Sequence, residues 1–119
     1  MTNYVVVLLD SDAVKHDLYM VQQYTITDTG ELTYDRLLEE LQFINGIDMR
    51  GHNRPRAIWL CDNFLDTELW VTALRCKYGE YDKHKIISGV MFNNLCASYI
   101  KTYGDTSYVE YIKAMIMGA

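Results

Sequence analysis

The sequence predicts an α+β domain in which a small three-stranded mixed sheet is packed by three to four helices, mainly on one face. Three observations predict it. Residues 3–9 are an unbroken apolar, β-branched run, the pattern of a strand covered on both faces. Two further short runs, 18–27 and 57–61, have strand composition. Four longer stretches, 33–45, 66–78, 85–103 and 107–117, repeat apolar residues at helical spacing. The order is therefore ββαβααα. At 119 residues with no repeat, no linker and one proline, the chain reads as a single domain over 1–119.

The first strand stops at Asp10-Ser11-Asp12. Residues 18–27 alternate Leu18, Met20, Tyr24 and Ile26 with polar neighbours, which suits the second strand of a hairpin. A helix capped by Asp12 and carrying Val14, Leu18 and Val21 competes for the same stretch. Tyr24-Thr25-Ile26-Thr27 is too β-prone for that helix, so the strand is preferred. Thr33 caps the first helix. Tyr34, Leu37, Leu38, Leu41 and Ile44 fall on its inner stripe, Asp35, Glu39 and Glu40 face away, and Gly46 supplies a stop. Residues 57–61, Ala-Ile-Trp-Leu-Cys, make the third strand. Asp66 is the expected cap of the next helix, with Leu69, Trp70, Ala73 and Leu74 inward and Gly79 after its end. Residues 85–103 carry a broad apolar face ending at Gly104, although Ile86-Ile87-Ser88-Gly89-Val90 also admits a strand at 85–92. Ser107 and Glu110 have capping-box spacing and open the last helix.

Charge is unevenly spread. Residues 1–49 hold nine acids (Asp10, Asp12, Asp17, Asp28, Glu31, Asp35, Glu39, Glu40 and Asp48) against Lys15 and Arg36, whereas 50–85 hold seven bases against five acids. Such a pole governs which partners approach and how fast, and says little about fold. Cys61, Cys76 and Cys96 are three and lack C-x-x-C spacing, and Met1–Val5 lacks a positively charged start. Both features lead to the expectation of a cytoplasmic protein with reduced thiols. No cofactor motif occurs: there is no G-x-x-x-x-G-K-[ST], G-x-G-x-x-G, G-x-S-x-G or H-E-x-x-H. A sequence pI of 5.0 disfavours direct nucleic-acid binding, and no apolar run is long enough to span a membrane.

The leading expectation is a small acidic, non-catalytic interaction or inhibitor protein of the kind that phages and mobile elements encode against host defences. It would bind a larger basic protein through an acidic and tyrosine-rich surface built on Glu31, Asp35, Glu39 and Glu40. A second expectation is a nucleotide- or anion-binding, or Mg²⁺-dependent phosphoryl-transfer, domain. Arg50, His52, Arg54 and Arg56 would clamp the anion, and Asp10, Asp12 and Asp62 at strand ends would supply hard oxygen ligands. The hairpin weakens that metal site, because it leaves the Asp10/Asp12 and Asp62 groups about a strand length apart, roughly 17–20 Å. The last helix is apolar on more than one face, which raises a homodimer through Tyr108, Tyr111, Ile112 and Met115.

Overall fold

In the computed structural model, residues 2–10, 19–27, 33–43, 55–78 and 81–118 are described. They form β1 (Thr2–Asp10), β2 (Tyr19–Thr27), α1 (Tyr34–Phe43), β3 (Pro55–Cys61), α2 (Phe64–Tyr78), α3 (Lys83–Ser88), α4 (Val90–Tyr103) and α5 (Thr106–Gly118). This is the expected α+β order. The sheet runs β2-β1-β3, and β1 is antiparallel to both neighbours. The expected mixed sheet is thus antiparallel at both ladders. The run 3–9 explains the difference: a strand apolar on both sides belongs in the centre. Val5, Val7 and Leu9 meet Ile26, Leu37 and Leu41 on one side, and Val6 and Leu8 meet Val21, Val71 and Leu74 on the other.

Four layers result. α1 covers one face of the sheet, α2 lies on the other, and α4 and α5 lie behind α2. α2 carries apolar residues on two faces because it is buried from two directions. Its Leu69 and Ala73 pack with Phe92, Cys96, Tyr99, Val109, Ile112 and Ile116, while its Val71 and Leu74 pack on the sheet. Trp70 bridges these two clusters, with Trp59 edge-on at 5.9 Å. β3 begins at Pro55, the outer strand tolerating a residue without an N–H. Its register slips opposite Leu8 and Leu9, leaving Arg56 as the extra residue.

The helix starts follow side-chain caps. Thr33 Oγ1 accepts the Arg36 N–H at 3.2 Å, as its sequence position implies. The cap of α2 is Asn63, not Asp66: Asn63 Oδ1 accepts the Asp66 N–H at 2.8 Å. α5 opens on Asp105 rather than Ser107, since Asp105 Oδ1 accepts the Tyr108 N–H at 3.0 Å and the Ser107 hydroxyl at 2.7 Å. The stretch 85–103 is helical, without a strand at 85–92, but Gly89 divides it into α3 and α4, giving five helices among the described residues. A Cβ on Gly89 would lie 2.9 Å from the Lys85 carbonyl oxygen, so only glycine fits the break as it stands. Asn93 Nδ2 donates to the Ile87 and Gly89 carbonyls, at 2.9 and 2.8 Å, and pins the break. Gly104, at φ 69°, ends α4 in the left-handed conformation.

Candidate interaction surfaces

The acidic face of α1 is partly as expected. Asp35 and Glu39 are exposed, and among the described residues neither has an ion-pair partner. Glu40 is different: its side chain is only 14% exposed, and Oε1 lies 2.8 Å from Arg36 Nη2. Helical geometry accounts for this. At about 100° per residue, Glu39 stands opposite the buried Leu37–Leu41 line, whereas Glu40 falls about 80° from it, on the flank. Glu31 lies outside the described residues.

Aromatic and aliphatic surface accompanies these acids. Tyr34, placed on the inner stripe by spacing, is 67% exposed. It sits in the first turn of α1 and, with Pro55–Ile58, lines a shallow hollow of about 150 Å³. Leu60 is 57% exposed. It is register-paired with Val5, so it belongs to the α1 side of the sheet. Tyr34, Asp35, Glu39 and Leu60 therefore occupy one side of the molecule.

Of the aspartates proposed for a metal, Asp10 and Asp62 do not converge. Cys61, beside Asp62, pairs with Tyr4, and Asp10 lies about 20 Å further along β1 at ~3.3 Å per residue. Residues 19–22 are strand, which removes the helical alternative there. Asp12, Asp17, His16, Arg50, His52 and Arg54 lie outside the described residues; Arg56 is exposed on β3. Among the described residues no group of three His, Cys, Asp or Glu side chains is arranged to hold a metal ion.

The three thiols are held protonated. Burial, reinforced by the carboxylate of Asp66, pushes Cys61 up to about 11. Burial likewise raises Cys76, beside Asp82, and Cys96. A reactive thiolate needs the opposite environment.

An aromatic cluster at the C-terminal end of β3 was not legible beforehand. The Tyr108 hydroxyl donates to Asp66 Oδ1, and Asp66 Oδ2 accepts the Asp62 N–H at 3.4 Å. Tyr99 packs against both Tyr108 and Tyr103 with tilted rings, their centroids 4.9 Å apart. Burial and the neighbouring Asp66 raise the Tyr108 phenol well above its ordinary value. Ile112 is fully buried, and the half-buried Tyr108 is engaged by Asp66. Of the residues raised for a dimer, Tyr111 remains exposed and Met115 half-buried. A further hollow of about 500 Å³ lies between α2 and α4. Its trace in the sequence is a polar stripe, Glu68, Thr72 and Arg75, on an otherwise apolar helix.

No protein-family model, no curated protein and no solved structure matches this chain. Among the described residues, no helix is long and apolar enough to cross a membrane.

Proposed function

We propose that this chain is a non-catalytic interaction protein that binds a larger basic protein through the α1 side of its sheet. An inhibitor that occupies a basic binding groove of a host protein, of the kind carried by phages and mobile elements, has this character. The observation that carries the reading is the exposed pair Asp35 and Glu39, uncompensated among the described residues and flanked by exposed Tyr34. Unpaired carboxylates steer a basic partner during encounter. The tyrosine offers a large, rigid contact at small entropic cost.

Affinity capture from the native host, followed by mass spectrometry, tests this with the wild-type chain beside Asp35→Lys/Glu39→Lys. The expected result is one basic protein retained by the wild type, lost from the double variant and weakened by salt. Equal retention by both forms, with no dependence on salt, refutes the reading. Both positions are exposed, so the variant keeps its fold.

A further inference from the structure

On the other side of the sheet, α2 and α4 enclose the groove of about 500 Å³. Its floor is the buried Val71 and Phe92, with Ile86 and Leu95 half-buried beside them. Met91, 88% exposed, and Tyr81 form its rim. The size and apolar lining are those of a small-molecule site.

Its polar groups are unequal. Glu68 already accepts the Gln23 side-chain amide at 3.0 Å. The Thr72 hydroxyl donates to the Glu68 carbonyl at 2.8 Å, back into its own helix. Arg75, about 10 Å along α2 from Glu68, donates through Nη2 to the Val21 carbonyl at 3.2 Å. That bond fixes the guanidinium against β2 and neutralises no charge, just as the neutral Gln23 amide leaves Glu68 charged at the far end of the stripe. Among the described residues Arg75 has no carboxylate partner. A half-buried cation anchored beside an apolar groove, with donors left over, is complementary to an anion on an apolar body.

We propose that the α2–α4 groove binds a small amphiphile, an apolar molecule bearing one carboxylate, with the carboxylate on Arg75 and the apolar body against Val71, Ile86, Phe92 and Leu95. This site lies across the sheet from the α1 surface and is independent of it.

Calorimetric titration with decanoate and with decyltrimethylammonium, both below their micellar concentrations, tests the assignment. The two probes share a chain length and differ in charge. The wild type is expected to bind decanoate saturably at one site, at least about tenfold more tightly than the cation, as a charge-assisted bond predicts. Arg75→Gln, which removes the charge and keeps a polar side chain, should abolish that preference. Met91→Glu changes a side chain that is almost wholly exposed and so preserves the fold; the carboxylate at the rim should weaken decanoate selectively. The proposal is overturned if neither probe saturates, if the wild type binds both alike, or if decanoate affinity is unchanged in a folded Arg75→Gln. Should Arg75→Gln fail to fold, undiminished decanoate binding by Met91→Glu overturns it equally.

Discussion

Replacing Tyr108 with phenylalanine removes one oxygen and leaves the ring packed against Tyr99. The lost group is the donor to Asp66, a residue in the first turn of α2, 42 positions away in the chain. Hydrogen bonds to charged acceptors contribute about 1.5–3 kcal/mol. Asp66 is only partly buried and keeps the Asp62 N–H, so water recovers part of the loss, and a cost of about 2 kcal/mol is expected. Unfolding entropy near 2.1 cal/mol/K per residue gives about 250 cal/mol/K for a chain of this length. The same cost then lowers Tm by about 8 °C. Thermal denaturation followed by circular dichroism at pH 7 measures this, with Tyr103→Phe as control. Tyr103 has an exposed side chain and should move Tm by less than about 2 °C. In a cycle with Asp66→Ala the two substitutions should be less than additive by about 1–2 kcal/mol. A Tyr108→Phe protein that melts with the wild type, or a cycle that is strictly additive, refutes a stabilising Tyr108–Asp66 bond.

The remaining predictions concern alkaline pH, thiol chemistry and the α3–α4 break. Tyr108 and Cys61 both titrate higher folded than unfolded, so the unfolded chain releases its protons first. Stability should therefore fall as pH rises from about 9, and the limb above pH 10 should be shallower in Tyr108→Phe; urea midpoints between pH 7 and 11 that do not decline would contradict this. With its thiol near 11 instead of 9, Cys61 should carry on the order of 100-fold less thiolate at pH 8 than an open cysteine. Iodoacetamide labelling read by mass spectrometry should accordingly be slow in the folded protein and fast in urea, and equal rates would count against the buried environment. Gly89→Ala forces a methyl against the Lys85 carbonyl and should cost about 1–3 kcal/mol in denaturant unfolding; an unchanged midpoint would show that the break relaxes freely.

What the sequence could disclose depended on how far each determinant reached along the chain. Thr33 caps α1 by a bond three residues away, and Gly104 stops α4 by its own backbone; both are local and both were readable. Asp66 was the expected cap of α2, and a carboxylate is a competent cap. Asp66 is engaged by Tyr108 from α5, a tertiary fact absent from the local pattern, and Asn63 takes the cap. The two-sided burial of residues 3–9 was evident, yet its consequence, a central β1 flanked by two antiparallel partners, required knowing the sheet order. The candidate surface divides the same way. Asp35 and Glu39 were found by periodicity. Glu40 was misplaced by one flank, and Tyr34 was placed inward although it lies at the margin of the helix's footprint. The amphiphile groove draws on α2, the 81–82 segment, α3 and α4, and no single stretch of sequence announces it.

Ala73 and Leu74 are adjacent in the chain and face opposite ways, one into the α4–α5 layer and one onto the sheet. A single helix is thus a party wall between two rooms. Neither layer can open without stripping one side of that wall, so the sheet and the helical layer should exchange their amide protons as one cooperative unit. A cavity cut at Ile112 should therefore be felt as faster exchange at Val6 and Leu8, in a layer that Ile112 does not enter.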